Sequence, residues 1–221
     1  MKYFITYDNP LRRLLEITLT VDTRQLSVLE LKLPIWRPGR YEAANYAKNI
    51  QKIAAISEQG HELPIRKPKP SQWHVECEGA SEVSIDYSYY AHEMDAGNSF
   101  LDKGMVYINF INCLLYTEDR MNEPHEVTLE IPNDYSIACS LKQDGHLLTA
   151  SSYYELADSP MIASSSLDHH AYEVEGYKFH IWIHGKHDLD METLLAQFEQ
   201  FTALQIQVMG DFPVPENHFL F

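Results

Sequence analysis

The sequence of 221 residues lacks features on which several classes of protein depend. It has 17 Lys and Arg against 32 Asp and Glu, which gives a net charge of −15. Because nucleic acids and anionic membrane surfaces are bound through basic side chains, we expect neither as a partner. The apolar runs fall short of the ~18 residues that a membrane-spanning helix requires. The acidity is typical of a soluble protein and also suits a cationic ligand such as a peptide N-terminus.

Cysteine is scarce as well. Cys77, Cys113 and Cys139 are odd in number, far apart and without C-x-x-C spacing. They therefore predict neither a disulfide framework nor a metal site, and they suit a reducing compartment. The first residues show no signal peptide. We expect a cytoplasmic location.

The usual catalytic motifs are also missing. A helical zinc peptidase needs H-E-x-x-H, two histidines one turn apart with a glutamate base between them. Three His-Glu pairs occur, but the residues four positions after each histidine are Ile65, Ala96 and Leu129. No G-x-S-x-G and no phosphate-binding loop is present. We therefore predict no catalytic residue, no metal ligand and no cofactor in this chain.

One group of histidines needs separate treatment. His180, His184 and His187 follow closely on His169-His170, and on a helix the first two would share a face and could hold one metal ion. Their surroundings alternate between apolar and polar residues, which favours a strand, where four residues span about 13 Å. This distance is too long for one ion, so we interpret them as histidines on the exposed face of a strand.

Alternation of apolar and polar residues dominates the chain before residue 188. Because successive side chains of a strand point to opposite faces, this pattern predicts half-buried strands, with Gly, Pro, Asn and Asp marking the turns between them. We predict an all-β fold, an antiparallel β-sandwich forming one domain over residues 1–187. The alternating sets are Leu15, Ile17, Leu19 and Val21; Leu29, Leu31 and Leu33; Val83, Ile85, Tyr87 and Tyr89; Val106, Ile108 and Phe110; Val127, Leu129 and Ile131; and Phe179, Ile181 and Ile183.

The period changes in a second segment, residues 188–221. Apolar residues with helical spacing predict a helix from about 190 to 207, with Asp190 as N-cap and Gly210 at its end. We expect the apolar stripe of this helix to meet a domain outside the sequence. We expect the final Phe-Leu-Phe to start a strand whose hydrogen-bond partners also lie outside it. The stripe is Met191, Leu194, Leu195, Phe198 and Phe201.

The segment Leu33-Pro34-Ile35-Trp36-Arg37-Pro38-Gly39-Arg40-Tyr41 is the most distinctive in the chain. Pro38 fixes φ and Gly39 permits a positive φ, so we expect a sharp turn with Trp36 and Tyr41 packed around it. The segment resembles the L-P-x-W-x-P-G-x-Y motif in the N-terminal domain of the glycyl aminopeptidase family of zinc metallopeptidases. Further segments resemble that family in the same order: Gly60–Pro64, Ser71–Val75, Tyr154–Pro160, Tyr172–Gly185 with His180, and Gly210–Pro213.

The resemblance implies a β-sandwich that precedes a thermolysin-like catalytic domain, often with a PDZ domain. That catalytic domain would contain H-E-x-x-H, the zinc ion and a further Glu ligand, none of which lies in this sequence. The chain would then be a non-catalytic domain, with its own catalytic domain and the peptide substrate of the parent enzyme as partners. The loop residues Trp36, Arg37, Gly39, Arg40 and Tyr41 are the candidates for a cleft-facing role.

Two other functions remain open from the residues alone. The chain could be a free-standing β-sandwich module that binds protein or carbohydrate, which its 14 tyrosines would suit. It could also be a small hydrolase that uses a cysteine or paired carboxylates, although no motif supports this.

Overall fold

The computed structural model describes residues 1–39 and 42–221. The first strands are β1 (Lys2–Thr6), β2 (Leu14–Asp22), β3 (Val28–Lys32), β4 (Ile50–Ser57), β5 (Glu62–Leu63), β6 (Ile65–Lys69), β7 (Gln72–Glu76), β8 (Glu82–Tyr90) and β9 (Phe100–Asp102). The later strands are β10 (Met105–Ile108), β11 (His125–Leu129), β12 (Ser136–Ala138), β13 (Lys142–Asp144), β14 (Leu147–Ala150), β15 (Met161–Ser164), β16 (Leu167–Val174), β17 (Tyr177–His184) and β18 (Glu216–Leu220). The α-helices are α1 (Phe110–Cys113), α2 (Tyr153–Ala157) and α3 (Met191–Met209), and 3-10 turns cover Pro10–Arg12, Tyr46–Asn49 and Glu118–Arg120.

The strands form a large eight-stranded sheet and three smaller sheets. The eight-stranded sheet has the order β13-β14-β11-β1-β2-β8-β4-β5, and a four-stranded sheet has the order β12-β15-β10-β9. The remaining strands form the small sheet β3-β7-β6 and the terminal sheet β16-β17-β18. Neighbouring strands are antiparallel except in the pairs β1 with β11 and β17 with β18. The predicted all-β, sandwich-like fold with one long C-terminal helix is confirmed.

Strands β2 and β8 at the centre of the large sheet follow the predicted alternation. Every second residue of β2, from Leu15 to Val21, is buried while those between are half-buried. The same faces of both strands meet in register, with Leu19 opposite Ile85 and Ile17 opposite Tyr87. This buried face continues into the main core, which the small sheet and the four-stranded sheet cover. One-sided burial is what a period of two produces.

Strand β10 departs from the prediction because it is buried on both faces. Val106 and Ile108 face the main core, whereas Met105 and Tyr107 face a second cluster with Leu167, Trp182 and Leu220 of the terminal sheet. The four-stranded sheet is therefore an inner layer. Phe110 was predicted to continue the alternation of Val106 and Ile108 in this strand, but it begins the short helix α1 instead.

Three buried tyrosines, two on the large sheet and one at the start of α2, bond to the backbone at the end of α1 and just after it. The hydroxyl groups of Tyr3, Tyr87 and Tyr153 donate to the carbonyl oxygens of Leu115, Cys113 and Leu114 at 2.8, 2.8 and 2.9 Å. Irregular backbone inside a core leaves carbonyl groups without strand partners, and each unpaired carbonyl would be costly. The tyrosines therefore allow the chain to cross the core at this point.

Helix α3 packs on the outer face of the terminal sheet. Asp190 caps its N-terminus by accepting from the Thr193 N–H at 3.2 Å, and Gly210 ends it with φ of +83°. Both terminal residues are as predicted, because a carboxylate satisfies free amides and glycine tolerates the left-handed conformation. No helix in residues 1–39 and 42–221 combines the length and the apolar character needed to cross a bilayer. The division of the chain near residue 188 stays a prediction.

The final strand was expected to lack a partner strand in this chain, and that expectation was wrong. Strand β18 starts at Glu216 rather than at Phe219, and it pairs in parallel with β17 along its whole length. The amide of Phe221 donates to the Trp182 carbonyl at 2.8 Å, and the His184 amide donates to the Phe221 carbonyl at 2.8 Å. The chain itself thus provides the partner strand on one side of β18. Spacing along the sequence cannot predict such a pairing, because the helix separates the two strands.

Candidate functional site

The loop after β3 is the site that the sequence motif predicts. Leu33 is buried at its start, whereas Ile35 and Trp36 are 52% and 49% exposed. The amide of Ala44 donates to the Ile35 carbonyl at 2.8 Å and closes the loop. Gly39 has φ of +82°, which confirms the expected turn geometry. Trp36 is about half exposed, and its expected packing with Tyr41 stays a prediction because Tyr41 lies outside the described residues.

In the described part of this loop, the Arg37 side chain points toward the protein interior. A Cβ added to Gly97 would lie 2.7 Å from the Arg37 Nη2, so the guanidinium fills the space beside that glycine. Burial raises the pKa of the nearby Tyr107 phenol, and the positive charge of Arg37 acts in the opposite direction. Arg37 therefore anchors the loop while its apolar residues stay exposed. The other two candidates, Arg40 and Tyr41, lie outside the described residues.

The second candidate surface is the exposed face of helix α3. Met191, Leu195 and Phe198, from the predicted stripe, pack on the terminal sheet rather than on another domain. The physical reason is that β16 and β17 present their own apolar face to the helix. Phe201, by contrast, is 47% exposed.

The exposed face extends beyond the predicted stripe. Leu204, Val208 and Met209 are 55%, 82% and 79% exposed and follow Phe201 at helical spacing. With Phe212 and Pro213 they line a groove of about 540 Å³ at the end of the helix. Extending the apolar spacing past Phe201 would have identified these residues in the sequence. A contiguous apolar surface of this kind is typical of a contact site for another protein surface.

A cluster of histidines lies on the opposite face of the terminal sheet. The histidine cluster comprises His169, His180 and His218, which lie on β16, β17 and β18. His169 Nε2 lies 2.8 Å from His180 Nδ1, and the rings of His180 and His218 stack with centroids 4.5 Å apart. Trp182 Nε1–H donates to His218 Nδ1 at 3.2 Å. Burial lowers the pKa of His218 to about 4, so this imidazole is neutral at physiological pH.

The prediction of exposed histidines was wrong for His180, which is only 7% exposed. Its strand is the predicted one, but the face that bears His180 is covered by the four-stranded sheet. His180 Nε2 lies 3.3 Å from the Glu216 Oε2 carboxylate oxygen. Glu216 in turn lines an open pocket of about 590 Å³ with Tyr154 and Asp158. Tertiary structure thus brings together two of the motif segments, Tyr154–Pro160 and Tyr172–Gly185.

The other two histidines of the predicted group do not join this cluster. His187 Nε2 lies 3.1 Å from Asp168 Oδ2, and His170 Nε2 lies 2.9 Å from the same oxygen. Hydrogen bonding from His170 and then from His187 lowers the pKa of Asp168. His184 is opposite Leu167 at the end of β17.

The cysteines do not form a nucleophilic site. Cys77, Cys113 and Cys139 are buried and free. Burial raises the pKa of Cys139 to about 12 and also raises the pKa values of the other two thiols. Because the thiolate is the reactive form, these groups are protonated and unreactive at neutral pH. The alternative of a cysteine hydrolase therefore loses its support.

Solved structures of other proteins share this fold. The chain is similar to an aminopeptidase N family protein from Idiomarina loihiensis, with a TM-score of 0.89 and 24% identity over 99% of this chain and 38% of that one. It is less similar to an M1 zinc metallopeptidase from Deinococcus radiodurans, with a TM-score of 0.50 and 14% identity over 99% of this chain and 55% of that one. No curated protein matches the sequence.

These structural similarities concern the fold. The chain spans 38% of the length of the Idiomarina protein. Residues 2–165 match the family described as the peptidase M61 N-terminal domain, which accounts for most of the β-sandwich. The chain therefore belongs to the peptidase M61 N-terminal domain family.

Proposed function

We propose that this chain is the non-catalytic N-terminal domain of a zinc-dependent aminopeptidase, where it packs on the catalytic domain and helps to shape the substrate cleft. Family membership over residues 2–165 supports the type of domain. The observation that carries the packing role is the exposed apolar face of Phe201, Leu204, Val208 and Met209 at the end of α3. Burial of such a surface against a neighbouring domain would be favourable by about 25 cal/mol per Å² of apolar area.

The catalytic chemistry belongs, in this proposal, to sequence that follows residue 221. The similarity to a chain of which this one covers only 38% supports a longer parent protein. We expect H-E-x-x-H and a further Glu ligand in that sequence, with a zinc ion that activates water for peptide hydrolysis. A cytoplasmic location is part of the proposal, supported by the three free, buried cysteines.

The exposed loop supports the cleft-shaping role. Ile35 and Trp36 are exposed, while Arg37 anchors the loop on the segment that contains Gly97. An aromatic residue held in a fixed position can contact a peptide with little loss of conformational entropy. Trp36→Ala in the parent enzyme should therefore raise KM for peptides more than it lowers kcat.

The packing role can be tested in the parent protein with Leu204→Asp and Val208→Asp together. Because both side chains are exposed in this chain, the stability of the isolated domain should change by no more than about 0.5 kcal/mol. In the parent protein the charges would lie in a buried interface. We expect a lower melting temperature and a loss of affinity between separately produced domains of at least about tenfold.

Leu11→Asp is the matched control, because Leu11 is 69% exposed but lies far from α3 in sequence, in the first 3-10 turn. This variant should behave as the wild type in both assays. Equal affinity for the double variant and the wild type would remove the packing role. A parent reading frame without H-E-x-x-H would remove the aminopeptidase and favour the binding module.

A further inference from the structure

We propose that His180, Glu216 and His218 bind a divalent transition-metal ion, with zinc as the expected ion, which ties β18 to β17. Their donor atoms all lie within 4.8 Å of one another. This site is independent of the proposed aminopeptidase activity, since it uses only residues of this chain. It replaces the expectation that the chain contains no metal ligand.

Strand geometry explains why these three side chains converge. Glu216 and His218 are two positions apart on β18, so they point to the same face. His180 lies directly opposite His218 in the parallel pairing with β17. Neighbouring strands are about 4.8 Å apart, which is within reach of a shared ion once side chains turn toward it. The donor groups thus come from two strands that helix α3 separates in the sequence.

The buried nitrogen of His180 is the observation that points to a ligand. His180 Nε2 is buried and has no hydrogen-bond partner in the described part of the chain. Glu216 Oε2 lies 3.3 Å away, close enough for an ion pair but without hydrogen-bond geometry. An unpaired buried polar atom costs about 1–3 kcal/mol. A bound cation would satisfy this nitrogen and the carboxylate together.

The distance between these two atoms suits zinc. Zinc bonds to histidine and carboxylate are about 2.0–2.2 Å long, so two ligands of a tetrahedral site lie roughly 3.3–3.5 Å apart. The observed 3.3 Å between His180 Nε2 and Glu216 Oε2 agrees with this value. Imidazole together with carboxylate favours zinc over calcium or magnesium, which prefer oxygen ligands alone.

A second contact orients His180 for this role. Its Nδ1 lies 2.8 Å from His169 Nε2. When the N–H of His180 Nδ1 donates to His169, the lone pair of His180 is left on Nε2, the atom that faces Glu216. A metal-binding histidine usually donates its second N–H to a neighbouring group in this way, and the contact fixes both the tautomer and the ring position.

His218 would provide the third ligand and a signal of binding. Its Nδ1 accepts from the Trp182 indole N–H at 3.2 Å. Binding an ion requires the ring to reorient or to give up that hydrogen bond, because the indole can only donate. Trp182 also stacks on His169, with ring centroids 3.8 Å apart. Tryptophan fluorescence should therefore change when the ion binds.

The site has a route to solvent and room for a further ligand. Glu216 is half-exposed and lines the open pocket that also contains Asp158 and Glu155. An ion could enter there, and water could occupy a fourth position. The acidic chain, with its net charge of −15, would favour the approach of a cation.

The test is a zinc titration of the untagged 221-residue chain after treatment with a chelator and dialysis. Calorimetry should show one ion per chain, and cobalt as a substitute should give the visible absorption of a tetrahedral site. Glu216→Gln and His218→Ala should each weaken zinc binding by more than the 10- to 100-fold expected for loss of a supporting residue such as His169. Glu216 is half-exposed, so its variant is expected to fold.

The control group is formed by Asp168, His170 and His187, which have similar chemistry on the terminal sheet and in the segment after β17. His170→Ala with His187→Ala should leave zinc affinity and the fluorescence change intact. The proposal is overturned if zinc does not bind stoichiometrically, if binding survives Glu216→Gln and His218→Ala, or if it is lost in the control variant. Lack of binding would leave the cluster as the hydrogen-bonded pair of His169 and His180 beside the Glu216 carboxylate. None of these outcomes depends on peptidase activity.

Discussion

His125 should make the stability of this protein depend strongly on pH between about 4 and 6.5. The residue lies on β11 in the eight-stranded sheet and has no exposed surface. Its Nδ1 lies 2.7 Å from the Glu123 carbonyl, to which the N–H donates, and its ring centroid lies 6.0 Å from that of Tyr3 and 5.7 Å from that of Tyr153. Burial lowers the pKa of His125 to about 4, although the hydrogen bond to Glu123 acts in the opposite direction.

The sign of the effect follows from proton linkage. The unfolded chain binds a proton at His125 with a pKa of about 6.5, whereas the folded chain does so only near 4. As pH falls through this range the unfolded state gains protons first, so the folded state loses stability. The full contribution is present above about pH 6.5 and amounts to about 3 kcal/mol across the whole window. At about pH 5 the loss should be about 2 kcal/mol.

Urea denaturation of the wild type and of His125→Gln at about pH 7.5 and about pH 5 measures this contribution. Glutamine keeps an N–H donor for the Glu123 carbonyl and does not titrate. The carboxylates and His218 titrate in both proteins, so their effects cancel in the comparison. The variant should lose about 2 kcal/mol less than the wild type between the two pH values. Parallel pH dependence of the two proteins would refute the reasoning.

Three further substitutions test the local structure. Tyr87→Phe removes a buried hydroxyl that donates to the Cys113 carbonyl and accepts from the Leu115 N–H. This variant should lower the free energy of unfolding by about 1–3 kcal/mol. Tyr154→Phe, at an exposed tyrosine, should leave the free energy of unfolding unchanged. Gly39→Ala should cost about 1 kcal/mol because of the positive φ, and an unchanged denaturation midpoint would argue against that turn. Asp190→Ala should cost about 1 kcal/mol through loss of the N-cap, while Asp190→Asn should retain most of the stability in the same assay.

Much of the fold could be predicted from the sequence because it depends on local patterns. The burial of alternate residues from Leu15 to Val21 follows from the period of a strand. The limits of helix α3 follow from Asp190 and Gly210, whose backbone roles are local as well. The lack of H-E-x-x-H is a property of the sequence itself.

The candidate sites depended more on tertiary structure. The motif around Trp36 identified a turn, but the exposure of Trp36 and the position of Arg37 beside Gly97 are features of the tertiary structure. The exposed end of helix α3 was missed, although the spacing from Phe201 to Val208 carries that information. The terminal sheet covers one face of the helix as far as Ile206, and it leaves Phe201, Leu204 and Val208 exposed.

The sequence by itself determined which residues share a face, since the strand and helix periods fix the direction of each side chain. It did not determine what covers a face, and for this reason both sides of β10 and the histidine side of β17 were misjudged. Only tertiary structure brought His180 next to Glu216 and His218, which lie at least 36 positions later in the sequence and beyond a complete helix. Side-chain direction is a local property of the backbone, whereas burial and the meeting of distant polar groups depend on how separate layers pack.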